Sequence, residues 1–365
     1  MDAQTRINTN LVITMSESKT RFGVWEKYLT VWVFLFILCG IILGRTFPQI
    51  FDVLGQVTVA YVNIPIAICL FAMIYPIMVQ IDFGEVVRAG KTPRPIATTL
   101  LVNWAIKPFT MAFFGWVFLQ IIFAPFLSSG ISSQYLYGVI LLGVAPCTAM
   151  VLVWSYLANG NMGHTLVMVA INSLTMVFFY APLAVFLLGI SGIVIPWETV
   201  AFAITMYIVL PLIAGYYTRR AAIRRKGLDW LKFSLFPKLG RASIIALLIT
   251  LVVLFAIQGY VIIEQPFVIG LIAVPIFINI LVIFVISYVI SKMIGLPYED
   301  AAPTALIGGS NHFEVAIAVA ITLFGLESGA ALSAVVGVLT EVPFMLFLVW
   351  LCKRTKGWFN NNAKN

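Results

Sequence analysis

Long apolar segments alternate with short polar breaks along the whole chain, and at ~20 residues per membrane crossing ten segments qualify. They run over approximately 28–44, 57–81, 95–124, 135–157, 164–189, 197–218, 242–263, 266–290, 301–325 and 328–351, each read as a transmembrane helix. The third is long enough to tilt or to open with an interfacial turn after Pro93 and Pro95. Two segments break their own pattern. The ninth carries GGSNHFE (Gly308–Glu314) in its middle. Its glycines permit backbone that a helix interior avoids, and its Ser and Asn side chains compete for backbone hydrogen bonds. It therefore reads as two half-helices joined by an unwound stretch, with Glu314 at the start of the second. The fourth carries Pro146, which lacks an N–H and drives Ala145 out of helical geometry. Cys147 is then expected to open the second half-helix.

Matching features recur in order across the two halves. CLFAMI (Cys69–Ile74) resembles VLFAIQ (Val253–Gln258), and Asn103 lies mid-span as Asn279 does. LLGVAPCTA (Leu141–Ala149) aligns with LIGGSNHFE (Leu306–Glu314), Gly160 with Gly325, and Pro182 with Pro343. The largest hydrophilic break, 219–241, follows the sixth segment, while the matches pair the second to fifth segments with the seventh to tenth and so make two halves of five. An odd number of spans per half inverts the second half relative to the first, and inverted repeats with paired broken helices mark many secondary transporters. The expected organisation is a tail at 1–24, a first repeat at 25–218, a basic cytoplasmic loop at 219–241, a second repeat at 242–352 and a tail at 353–365.

Composition fits this picture. The 365 residues are 62% hydrophobic and 10% charged, against roughly a quarter charged in soluble domains. The net charge of +8 does not form a nucleic-acid face. Of the 22 basic residues, twenty fall in tails and loops on one side of the ten-span topology. Arg45 falls on the other side and Lys107 lies inside the third span. That asymmetry puts both termini in the cytoplasm of a multi-pass cell-membrane protein. The N-terminal stretch has no short apolar core ahead of a cleavage site, so it reads as a cytoplasmic tail rather than a signal peptide. Cys39, Cys69, Cys147 and Cys352 share no CxxC spacing and lie in or at the end of apolar segments, which opposes a disulfide framework or a zinc knuckle.

If the two broken spans cross, Cys147 and Glu314 face one small volume. A thiol at a half-helix N-terminus sits near partial positive charge, which favours soft-metalloid binding. The alternative, a cysteine packed as a small hydrophobe, suits Cys39, Cys69 and Cys352. An acid at membrane depth is by default functional, although Glu314 is also open to a structural pairing with Lys107. Glu341, two residues before Pro343, is a second intramembrane acid, and Lys107 and Glu341 are equally open to a fixed ion-pair network. Asn311 can serve opened backbone or a ligand hydroxyl. His312 reads as a packing or access residue. Ser310 and Thr148 offer further hydroxyls, and Asn103 is a candidate support. No Walker motif, GxSxG, HExxH or soluble catalytic domain is present. Nothing points to an enzyme or to a cofactor, and energy has to come from an ion gradient, the membrane potential or an ATPase subunit that the sequence does not reveal.

GVAPCTAMVLVWSYLANGN (Gly143–Asn161) and GGSNHFEVAIAVAITLFG (Gly308–Gly325) resemble the signature regions of the arsenite-efflux permeases of the bile acid/arsenite/riboflavin transporter superfamily. The resemblance extends over nearly the whole chain in span count and loop spacing. It implies an all-α, ten-helix fold, a five-plus-five inverted repeat with two crossing discontinuous helices like the bile acid sodium symporters, with panel and core domains. It implies export of arsenite, in some members antimonite, in exchange for protons. The family's essential cysteine and glutamate match Cys147 and Glu314, whereas His312 stands where an aromatic is usual. Arsenite is an uncharged trihydroxide near neutral pH. Ser310, Asn311, Thr148 and Glu314 then supply hydrogen bonds, and Cys147 beside Pro146 supplies one soft ligand. The rivals are a sodium-coupled organic anion or bile acid symporter, which needs more oxygen ligands than the APC segment offers, and a membrane sensor, which needs an output domain.

Overall fold

The structure, a computed structural model, describes residues 29–59, 62–82, 84, 93–148 and 150–359. The expected N-terminal tail and the last six residues lie outside the described residues. The apolar segments are helical, as they must be where lipid offers backbone groups no partner. Helix α1 is Leu29–Thr46 and α2 is Pro48–Gln56; a two-residue hairpin of β1 (Thr58–Val59) and β2 (Val62–Asn63) leads into α3, Ile64–Gln80. The side chain of Asn63 caps α3 by accepting from the N–H of Ile66 at 3.0 Å. Helix α4 (Pro93–Leu100) passes through wider turns at Leu101–Ile106 into α5 (Lys107–Trp116), with a second wide stretch at Val117–Ile122. Then come α6 (Ser129–Val144), α7 (Val151–Leu157) and α8 (Met162–Ile190).

In the second half, α9 (Trp197–Ile204) and α10 (Leu210–Trp230) are continuous through another wide turn, and α11 is Phe236–Glu264. The stretch expected as a basic loop at 219–241 is instead mostly helical. Its Arg, Ala, Lys and Leu residues are good helix formers, and the direction changes at Gly227, whose φ of +83° suits glycine. Helices α12 (Pro266–Met293), α13 (Tyr298–Gly309), α14 (Phe313–Phe324) and α15 (Gly329–Arg354) follow. Among the described residues five helical stretches are individually long and apolar enough to cross a membrane, or six if the bent pair α1–α2 counts as one. The broken elements are shorter, as the sequence breaks require. This is an all-α membrane protein apart from the small hairpin.

The helices form two groups. In one, α1 and α3 both lie against α11, and α3 also lies against α10. In the other, α5 packs on α6 and α12 on α13, while α15 covers α6, α12 and α14 and α8 lines α6 and α7. The α1–α11 seam depends on small residues. A Cβ on Gly44 would fall 2.0 Å from the carbonyl oxygen of Ala256, and one on Gly40 2.7 Å from that of Val252. The Gly40-x-x-x-Gly44 spacing lets the two backbones approach closely, as membrane helix pairs without a hydrophobic driving force require. Replacing Gly44 with Leu should force the helices apart and cost about 1–3 kcal/mol. A lower midpoint of thermal unfolding in detergent checks this, with Gly189→Ala as control, since nothing lies within 4 Å of a Cβ there.

Candidate functional site

The fourth segment unwinds where Pro146 demands it. Helix α6 ends at Val144, and Ala145 is extended, with φ −91° and ψ 102°. Helix α7 starts only at Val151, so Cys147 does not open the second half-helix as expected; it lies in the extended segment four residues earlier. Proline restricts only its predecessor, and the continued extension comes from pairing across the break. Pro146 forms an antiparallel bridge with Asn311, and the N–H of His312 donates to the carbonyl of Ala145 at 2.9 Å. The ninth segment supplies the partner. Helix α13 stops at Gly309, Ser310 is extended (φ −87°, ψ 152°), and α14 resumes at Phe313 with His312 at its N-cap. Glu314 stands in the first turn of α14, as the sequence predicts. The crossing therefore brings Cys147 and Thr148 against Ser310, Asn311, His312 and Glu314.

The unwound ninth segment hangs on one carboxylate. Glu341, midway along α15, takes the Ser310 hydroxyl on Oε1 at 2.5 Å and the Asn311 N–H at 3.1 Å from each oxygen. The Asn311 amide Nδ2 donates to Oε2 at 3.2 Å. On the opposite side Lys107 Nζ donates to the carbonyl of Ser310 at 2.6 Å. Lys107 and Glu341 are 0% and 2% exposed, and both hold Ser310, Lys107 through its carbonyl and Glu341 through its hydroxyl. The pairing of Lys107 with Glu314 is thus not the one formed. Helix α15 runs behind the break and brings Glu341 to the orphaned N–H groups. Glu314 instead has Oε2 2.8 Å from Nδ1 of His312, without the alignment of a hydrogen bond. His312 therefore stands directly beside the acid.

The thiol of Cys147 lies within electrostatic reach of Ser310, Glu341 and Glu314. Its carbonyl accepts from Asn172 Nδ2 at 3.2 Å, and Asn172 Oδ1 accepts from Asn103 Nδ2 at 3.2 Å. Asn103 thereby reaches the Cys147 carbonyl through Asn172, a residue the sequence did not single out for the site. Its one legible signal was a polar amide at mid-span depth in α8. Asn279 does not join this relay but donates to Thr110 at 2.8 Å. Four buried polar atoms at the crossing have no hydrogen-bond partner among the described residues: His312 Nδ1 and the oxygens Thr148 Oγ1, Asn311 Oδ1 and Glu314 Oε1. The crossing is closed, since Cys147 and Glu314 are each 2% exposed. A groove of about 440 Å³ between α5, α6 and α8 is lined by Trp116, Gln120 and Leu187 and does not reach these residues.

A broken pair of helices that cross, unwound backbone facing backbone, and ionisable groups buried at the break together describe a transporter's centre. Residues 67–265 match the sodium bile acid symporter family, over half of the chain. The chain belongs to the sodium bile acid symporter family. Within it, the chain is 43% identical over 342 residues to the arsenical-resistance protein Acr3 of Alkaliphilus metalliredigens, covering 94% of this chain and 96% of that one. It is 32% identical over 339 residues to Acr3 of Corynebacterium glutamicum, covering 90% and 89%. It is 52% identical over 346 residues to an uncharacterized transporter of Synechocystis sp., covering 92% and 90%. Membership makes this a multi-pass membrane transporter of the arsenite-permease branch, as the signature regions implied.

The partner assignment within the site is open to measurement. Glu341→Gln weakens the acceptor that holds the Ser310 hydroxyl and the Asn311 N–H and amide and should destabilise by about 1–3 kcal/mol. Lys107→Met with Glu341→Gln should lose clearly less than the two single changes added together. Lys107→Met with Glu314→Gln should be close to additive. Thermal unfolding of the six purified proteins, the wild type and the five variants, decides it, and coupling to Glu314 in place of Glu341 would reverse the assignment.

Proposed function

We propose that the protein exports arsenite, and also antimonite, across the cell membrane in exchange for protons and so confers arsenic resistance. The observation that carries the reading is the crossing itself, where a single buried thiol meets three unpartnered oxygen atoms. Arsenite offers three hydroxyl donors. Thr148 Oγ1, Asn311 Oδ1 and Glu314 Oε1 can accept them, and Cys147 adds a soft donor that suits trivalent arsenic. The similarity to the two Acr3 arsenical-resistance proteins, end to end along the chain, favours this substrate over the organic anions of a bile acid symporter. A sensor reading has no support in the comparisons.

Glu314 is the proton-coupling group in this scheme. Arsenite binds while the carboxylate is free to accept, and protonation from outside removes that acceptor and promotes release. Because Glu341 is held by four donor contacts and Lys107, Glu314 is the acid left with a free oxygen. Two halves of five spans each, meeting between α8 and α9 rather than at the 219–241 break, which six of the ten segments precede, are inverted about the crossing, with both termini cytoplasmic. The equivalent packing of α1 on α11 and of α10 on α3, and of α5 on α6 and α12 on α13, supports the repeat.

Arsenite uptake into everted vesicles tests the function. Uptake should stop when the pH gradient is collapsed and persist when the membrane potential alone is collapsed. Cys147→Ser should lose it, whereas Cys39→Ser, Cys69→Ser and Cys352→Ser should keep it. Glu314→Gln should insert and fold yet show no proton-driven uptake; full uptake by that variant would remove the coupling role. For topology, reporters fused at Lys364 and within 219–226 should both sit in the cytoplasm, and an external signal at either would refute the inverted repeat.

A further inference from the structure

Glu341 is surrounded by donors. Its two oxygens face the Ser310 hydroxyl, the Asn311 N–H and the Asn311 amide, a set of donors that favours the carboxylate form. An anion 2% exposed inside a membrane protein requires a cation beside it. On the far side of the same unwound loop, the carbonyl of Ser310 points at Lys107 Nζ from 2.6 Å. A carbonyl freed by a broken helix, close to a buried carboxylate, is the kind of oxygen environment in which transporters of this architecture bind a coupling sodium ion. The family to which this chain belongs is named for sodium symport. Here the position is filled from within the chain. Lys107 is 0% exposed, begins α5 after a run of wide turns, and reaches from a different span into the crossing.

We propose that the Lys107 ammonium is a tethered cation, standing at the carbonyl of Ser310, the residue whose hydroxyl binds Glu341, in the role that a bound sodium ion would fill, so that this site needs no sodium. The charge that stabilises the crossing is then permanent. It cannot be taken up on one side and released on the other, and a sodium gradient has no grip at this place. Lys107 is a positioning residue, acting on the substrate only through the shape of the Ser310–Asn311 backbone. This inference rests on the crossing's geometry and family membership and not on arsenite as substrate.

The test therefore uses no arsenite. The purified protein is unfolded thermally in choline chloride and in sodium chloride at equal ionic strength. The wild type should show the same Tm in both. Lys107→Ala removes the ammonium and opens space beside the carbonyl and the carboxylate. Its Tm should be low in choline and rise saturably with sodium chloride, or with ethylammonium chloride, which restores the lost primary amine. Lys107→Met fills the space without charge and should not respond to either cation. If Lys107→Ala is too unstable in choline, it should be recoverable when purified throughout in sodium chloride. A sodium-dependent Tm in the wild type would overturn the proposal. So would a Lys107→Ala protein that responds to neither cation. Failure of Lys107→Ala to fold even in sodium, while Lys107→Ala with Glu341→Gln folds normally, would overturn it as well.

Discussion

The protein depends on two interrupted helices satisfying each other's backbone. At membrane depth an unpaired N–H or carbonyl costs several kcal/mol, and each break would be prohibitive alone. The antiparallel bridge between Pro146 and Asn311 and the bond from His312 to Ala145 settle part of that cost. Glu341 and Lys107 settle more, one taking the donors of the ninth segment and the other its carbonyl. Asn172 does the same for Cys147. The chain thereby keeps extended backbone, a thiol and two acids in a place where ordinary helix would present only side chains.

The two buried acids have different surroundings and so different roles. Glu341 is saturated with donors and tied to a lysine, which suits a fixed structural charge. Glu314 has a histidine on one oxygen and nothing on the other, which suits a group that binds and lets go. In the proposed scheme, a site that alternates between holding and releasing a small neutral hydroxide uses one anchored acid to keep its shape and one free acid to change state. Helix order supplies both, because α15 passes behind the loop that α14 begins.

The crossing belongs wholly to the group of helices around α5, α6, α8, α12 and α15. Contact with the other layer is sparse and partly polar, through Tyr207 to Thr322 at 3.3 Å and the Gln258 amide to the Leu326 carbonyl. A packed unit that carries the site, touching a second layer along such a seam, can shift as a body without disturbing the bridge. The site is closed in this conformation, with Cys147 and Glu314 each 2% exposed.

The sequence by itself determined the membrane class, the helical segments, the two breaks and the identity of the residues at them. Those properties are local: hydrophobic run length, the missing N–H of Pro146 and the tolerance of Gly308 and Gly309 are written in adjacent residues. It also singled out Cys147, Ser310, Asn311, Glu314, Lys107 and Glu341. What it left open was who meets whom. Lys107 is 203 residues from Ser310 and Glu341 is 30 residues from Asn311, and only the packing of α5 and α15 against the crossing brings Lys107 and Glu341 to the same Ser310 and leaves Glu314 beside His312. The place of Cys147 in extended backbone was likewise undecidable, since Pro146 ends a helix but cannot say where the next begins. That start was set by the partner strand, and a pairing between distant segments is a property of the folded molecule and not of either segment.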